Sequence, residues 1–221
     1  MKTFLKQFFC SQNSIKTWAR DHRVHHKYVD TDADPHNSRR GFLYSHIGWI
    51  CLKKHPEVKE KFKLVDLSDV MNDPVAAFQH RYYWPLVITF NIIIPVMVPV
   101  LYWGETFYVS FFMSVLRYLC VLNGAFFINS AAHMWGTKPY DATINPTENE
   151  GVSILAWGEG FHNYHHTFPY DYAASELGGR LNLATMFINL MAKIGLAYDL
   201  RSPPKELVLR RKQRTGDGSR G

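Results

Sequence analysis

No Asp, Glu, Lys, Arg or His interrupts the chain from Tyr82 to Gly104. After Glu105 and Thr106 a second apolar segment runs from Phe107 to about Ala132, with one charge at Arg117. About 20 apolar residues cross a hydrocarbon core of about 30 Å as a helix, because a helix bonds its backbone polar groups internally. Pro85, Pro95 and Pro99 kink such a helix without barring it from lipid. A buried helix pair in a water-soluble protein is the competing reading. The very short connection and the aromatic ends (Tyr82, Tyr83, Trp84, Tyr102 and Trp103) favour a membrane hairpin. The expectation is an all-α membrane protein with two transmembrane helices and a cytosolic helical cap. Arg117 is costly in lipid, which points to a partner or a functional site.

Histidines flank this hairpin in a repeated pattern. His22, His25 and His26 precede it, and His162, His165 and His166 follow it, both as H-x-x-H-H. Residues at i, i+3 and i+4 share a helical face, so each trio can aim its rings at one place. Exposed, solvated histidine runs are the plain alternative, and the recurrence of the spacing argues against it. Two spans lie between the trios, so both emerge on one side of the membrane. The flanking Lys59, Lys61, Lys63, Arg81, Lys138, Arg210, Arg211, Lys212 and Arg214 assign that side to the cytosol.

Asn129 and His133, four apart at the end of the second span, join the same face. Seven imidazoles, His22, His25, His26, His133, His162, His165 and His166, exceed what one tetrahedral metal takes and point to two metals. A nitrogen donor set suits iron, copper, nickel or zinc rather than magnesium or calcium. Two redox metals beside lipid suggest oxygen activation on an apolar substrate. Zinc hydrolysis is the competing chemistry, but no H-E-x-x-H arrangement supplies its general base. Glu159, the nearest acid, reads as a structural or outer-sphere group.

The rest of the chain constrains less. The formal net charge of +6 admits an anionic membrane face or a phosphorylated ligand. Nucleic acid is disfavoured, since neither zinc-finger spacing nor an RNP-like aromatic strand occurs. Three scattered cysteines, Cys10, Cys51 and Cys120, fit a reducing compartment. Residues 1–10 read as an atypical leader, and 11–81 as a cytosolic segment with a helix over 11–29 capped by Asn13 or Ser14. His36 reads as loop-stabilising, and His55 and His80 as solvated. Residues 42–52 are short and apolar enough to lie flat at the membrane surface. The hairpin occupies 82–132 and a second cytosolic segment 133–202. The latter contains an amphipathic helix with Leu181, Leu183, Met186, Phe187, Leu190, Ile194 and Leu196 on its apolar side. Residues 203–221 read as a basic disordered tail.

These stretches, taken together, resemble the membrane acyl-CoA desaturases of the stearoyl-CoA (Delta9-like) type, with an insect-like flavour. The likeness covers nearly all of residues 11–200. It runs from Asn13 to Trp49, through Lys54–Lys61, Asp66–Asp69, Leu101–Thr106 and Leu122–Asp141, to Ile144–Asn149 and Gly158–Glu176. The resemblance implies that His22, His25 and His26 form the family's second histidine box and His162, His165 and His166 its third. It implies that His133 is an extra ligand and that Asn129 reaches a metal through water. It further implies two iron ions (Fe2+) and O2-dependent insertion of a cis double bond into a fatty acyl-CoA. Electrons would come from cytochrome b5, in the endoplasmic reticulum membrane. Asn13, Arg20, Asp21, Lys53 and Lys54 match positions that contact the CoA head. A plain solvated face is the other reading of the two lysines.

The family also begins with two further spans and a first box, H-x-x-x-x-H, and that spacing occurs nowhere in this sequence. The resemblance therefore implies an N-terminally truncated desaturase lacking two ligands, with weakened metal binding. The alternative is a catalytically inactive membrane protein that pairs with a full-length desaturase. A hydroxylase is the third reading.

Overall fold

The computed structural model describes residues 13–176 and 182–219. The expected leader at 1–10 and Leu181 lie outside the described residues. The described chain is helical, with no β-strand; isolated bridges join Thr137 to Glu148 and Glu148 to Phe161. It divides into two compact units. One holds the residues up to Pro35 with Lys54–Asn123, and the other holds His36–Lys53 with the chain from Gly124 onward.

In the first unit, helix α1 is Ile15–Lys27. Of the two expected caps Ser14 serves: its Oγ accepts from the Thr17 amide at 3.4 Å and satisfies an amide with no helical partner. α1 packs against α2 (Pro56–Lys63), α3 (Ser68–Asn72) and α4 (Pro74–Arg81). Ile15, Ala19 and Val24 of α1 are buried with Val58 of α2 and Ala76 of α4. The Ile15 amide donates to Gln79 Oε1 at 2.9 Å, and Arg23 clamps Asp69 through both carboxylate oxygens at 2.9 and 2.6 Å. His80 bonds Ser14 Oγ at 2.8 Å, and burial lowers its pKa, so it is not merely solvated. His55 caps α2 by accepting from the Glu57 amide at 3.4 Å.

The two apolar runs form α5 (Tyr83–Tyr102) and α6 (Phe107–Asn129). α5 has 20 residues and reaches about 30 Å at about 1.5 Å per residue, enough to cross a membrane. Ile92, Ile93, Leu101, Phe112 and Leu116 are exposed, a surface that favours lipid over water. Within α5 a π-helical stretch, Ile88–Ile93, precedes the prolines. In a regular α-helix the donor to the Asn91 carbonyl is the amide of residue 95, and Pro95 has no N–H. Arg117 Nη2 of α6 donates to that carbonyl at 3.2 Å. The intramembrane charge thus meets a backbone acceptor.

α6 passes from one unit to the other between Asn123 and Gly124. It closes at Asn129, and a separate turn, α7 (Ala131–Met134), begins after Ser130. Asn129 and His133 thus fall on successive helical segments within the single apolar span Phe107–Met134. His46 fixes the break by bonding Ser130 Oγ at 2.9 Å, and the hydroxyl donates on to the Phe126 carbonyl at 2.9 Å. Phe42, Phe127, Ile128 and Ala156 pack around Ala131, Ala132 and Val152. In the 42–52 segment, Leu43, Ile47, Ile50 and Leu52 are exposed while His46 is buried. His36 is buried edge-on against Trp49, with ring centroids 5.2 Å apart.

The second unit continues with α8 (Glu150–Leu155), α9 (His162–Thr167), α10 (Leu183–Lys193) and α11 (Lys205–Thr215). Asn182 caps α10 through the Thr185 amide at 2.9 Å. α10 buries Thr185 and Ile188, whereas Leu183, Met186, Leu190 and Ile194 are exposed. α11 corrects the expected disordered tail. Val208, Arg211, Lys212 and Thr215 recur at i, i+3, i+4 and i+7 and form one face. That face packs Val208 with Tyr140, Tyr164 and Phe168.

Candidate metal centre

α1 carries its trio on one side, with ring centroids 4.4, 5.8 and 6.2 Å apart. His22 and His26, one turn apart, bring their Nε2 atoms to 3.0 Å. Trp18, a turn earlier, stacks on His22 at 4.3 Å and limits its rotation. His25 is buried, with Nδ1 2.9 Å from Asp34 Oδ2. That carboxylate also accepts from the Asp30 amide at 2.8 Å. A carboxylate on Nδ1 makes it the donor and leaves Nε2 as the basic nitrogen, the usual second-layer arrangement behind a metal-ligating imidazole. Asp34 reads from sequence only as a turn residue.

The positions matched to CoA contacts are partly gathered in the same unit. Asp21 receives Arg20 Nη2 at 2.7 Å and Lys54 Nζ at 3.5 Å. Both cations lie over the Phe62 ring, at 4.0 and 5.4 Å. Asn13 sits just before the cap of α1 in a left-handed conformation. Lys53, at the edge of the other unit, is exposed.

In the second unit, α7 presents His133 and α9 presents His162, His165 and His166. His162 Nε2 lies 3.0 Å from His133 Nε2 and 3.1 Å from His166 Nε2. His165 stacks on His162 with centroids 5.6 Å apart. Asn129, half-buried, closes α6. An imidazole nitrogen has one in-plane position, filled by either a proton or a lone pair. His162 Nε2 therefore cannot hydrogen-bond both neighbours, whereas a cation shared by the three nitrogens would satisfy all of them. Metal–nitrogen bonds of about 2.1 Å at right angles separate two nitrogens by about 3.0 Å, which matches these spacings and that of His22 and His26.

A six-residue helix has no stability of its own, so tertiary bonds must hold α9. Glu148 Oε1 accepts from the Tyr164 amide at 2.7 Å. Asn163, fully buried, accepts from the Tyr140 and Asp141 amides at 2.9 and 3.1 Å. Its amide group donates to the Asp141 and Pro146 carbonyls, both at 2.9 Å. Tyr164 donates to Asp171 at 2.6 Å. At Gly160 a Cβ would fall 2.3 Å from the Asn149 carbonyl oxygen, so only glycine lets the chain pass into α9. None of Asp34, Glu148 and Asn163 is assigned a role by the histidine spacing.

Burial pushes the Glu148 carboxyl up from 4.5 to about 7. A raised folded pKa means that its contribution is fully present below about 4.5 and is lost as pH climbs through about 7. Glu148→Gln keeps an acceptor for Tyr164 and removes the titration. In metal-free protein, thermal unfolding between pH 5 and pH 8 should show the native chain losing, relative to the variant, stability of order 3 kcal/mol. Parallel curves would reject this assignment.

Imidazoles at metal-ligand spacing, on a chain with two apolar helices, mark a histidine-rich membrane protein compatible with iron. The chain belongs to the fatty acid desaturase family, whose model matches residues 2–177. It is 59% identical over 209 residues to acyl-CoA desaturase 1 of Tachysurus fulvidraco, covering 94% of this chain and 63% of that one. It is 56% identical to the stearoyl-CoA desaturase of Capra hircus, covering 94% and 58%. It is 54% identical to the acyl-CoA Delta(11) desaturase of Trichoplusia ni, covering 95% and 60%. The chain thus spans about 60% of the length of these curated relatives.

Proposed function

We propose that this chain is an acyl-CoA desaturase. In this reading His22, His25, His26, His133, His162, His165 and His166, with Asn129 through water, hold two iron ions. The observation that carries it is the recurrence, in each unit, of Nε2 atoms about 3 Å apart. Family membership and the names of the relatives support the substrate class. The net reaction takes two hydrogens from adjacent methylenes. With O2, two electrons from cytochrome b5 and two protons, it yields a cis alkene and two waters.

Iron, when bound, supplies the dioxygen chemistry that breaks unactivated C–H bonds. The chain does the rest. Asp34 holds His25 in the tautomer that offers Nε2. The 3.0 and 3.1 Å spacings among His133, His162 and His166 suit nitrogens that would share a metal. Arg20 and Lys54 take phosphate oxygens of the CoA head, Arg by its forked donors and Lys as a point charge, and Lys53 and Asn13 are further contacts in this reading. Asp21 and the Phe62 ring keep the first two extended toward that ligand. The apolar helices present the acyl chain with a dry path. The site faces the cytosol from the endoplasmic reticulum membrane.

The test is iron content and product analysis on the purified chain in detergent, with an acyl-CoA, O2 and reduced cytochrome b5. Two irons per chain and a cis-monounsaturated product are expected. An iron-poor, inactive protein overturns the reading in favour of a non-catalytic relative, and an oxygenated product in favour of a hydroxylase.

A further inference from the structure

The C-terminal helix grips the segment that α9 stands on. Arg211 pairs with Asp141, and Lys212 Nζ lies 2.6 Å from Glu176 Oε2 and over the Tyr140 ring at 4.9 Å. Glu176 also accepts from the Tyr140 hydroxyl at 2.7 Å. Thr215 Oγ1 donates to the Tyr140 carbonyl at 2.7 Å, and the Ala142 amide donates to the Thr215 carbonyl at 2.7 Å. Beyond the helix, Asp217 accepts from the Lys138 amide at 2.6 Å, and its own amide donates to the Lys138 carbonyl at 3.1 Å. At Gly216 a Cβ would stand 2.1 Å from the Pro139 carbonyl oxygen, so the two backbones touch there. Residues 138–142 are thus held from one side by the tail.

From the other side the same segment holds the histidine helix. Three of the four bonds made by the Asn163 side chain go to Tyr140 and Asp141. Tyr164 meets Tyr140 edge-on, with centroids 4.9 Å apart, and Phe168 packs on Tyr164 at 5.0 Å. Val208 of α11 closes this aromatic group. Asn163 and Tyr164 lie between His162 and His165, so their placement sets where those rings point.

We propose that α11 is a clasp that positions the imidazoles of α9, so that the cluster of His133, His162 and His166 takes its binding geometry only with the tail docked. Arg211, Lys212, Val208 and Thr215 are positioning residues; none is a ligand. The inference rests on the reading of His133, His162 and His166 as metal ligands. A short helix held by tertiary bonds is the element most exposed to loss of its support, and second-layer supports typically govern metal affinity by about 10–100-fold.

The test uses Co2+ as the probe on the full metal-free chain in detergent, read by its visible ligand-field absorption and by hydrogen exchange of the amides of residues 162–168. Charge reversal by Arg211→Glu with Lys212→Glu should lower Co2+ affinity about 10–100-fold and speed that exchange, while Arg211→Lys with Lys212→Arg should restore both. A chain ending at Pro204 should behave as the reversal does. Unchanged affinity and exchange in the reversal variant overturn the clasp, whether or not the shortened chain folds. His162→Ala is the control. If it fails to weaken Co2+ binding, the ligand reading fails first; if it weakens binding and the reversal does not, the clasp alone is rejected.

Discussion

If the chain is the proposed di-iron desaturase, His162→Ala removes at least one iron per chain and abolishes desaturation. His162 is the hub of its cluster, since its Nε2 lies within 3.1 Å of both His133 Nε2 and His166 Nε2. Alanine removes a ligand and separates the other two, and no carboxylate of α9 can take its place. His26→Ala should act in the same way through its 3.0 Å contact with His22. His55→Ala is the contrast. His55 only caps α2, so its loss should cost about 1 kcal/mol of stability and leave iron and activity intact. Metal analysis of the three purified variants, together with product yield, checks all three statements. Full iron in His162→Ala would remove this residue from the ligand set.

The largest effect on stability is expected at a residue that touches no metal. Asn163 is wholly buried and makes four hydrogen bonds, each to a backbone group. Asparagine is suited to this because one short side chain offers a carbonyl that accepts two bonds and an amide that donates two. Asn163→Ala leaves four buried backbone groups without that partner. A buried polar group stripped of its bond costs about 1–3 kcal/mol, so the total is about 4 kcal/mol or more, a large share of a typical folding free energy. Asn163→Asp keeps the acceptors and loses the donors, and should fall between the two. Thermal unfolding of the three proteins in one detergent gives the order native, Asp, Ala. An Ala variant within about 1 kcal/mol of native would mean that water replaces the side chain.

The parts legible in the sequence follow local rules. The charge-free run at 82–104 announces α5, and the i, i+3, i+4 spacing places His22, His25 and His26 on α1, where they are. Ser14 caps as its residue type foretells. The supports behind the histidines are silent because they act across the chain. Asp34 meets His25 nine positions away, and Asn163 meets Tyr140 at a separation of 23. Neither pairing leaves a periodic trace. α11 is hidden for another reason. Three of the four residues on its docking face, Arg211, Lys212 and Thr215, are polar, so its composition imitates a solvated tail although its spacing is helical. The break at Ser130 depends on His46, 84 residues earlier, which no helical-face argument around Asn129 could contain.

The bond from Arg117 to the Asn91 carbonyl bears on biogenesis. The limb that carries Pro95 draws one of its backbone contacts from the limb that carries the arginine, and the arginine in turn finds a carbonyl dipole at depth. Each limb is a poorer solute in lipid alone than alongside the other. Translocation machinery handling this chain is therefore better served by releasing both limbs into the bilayer as one hairpin than by delivering them in succession.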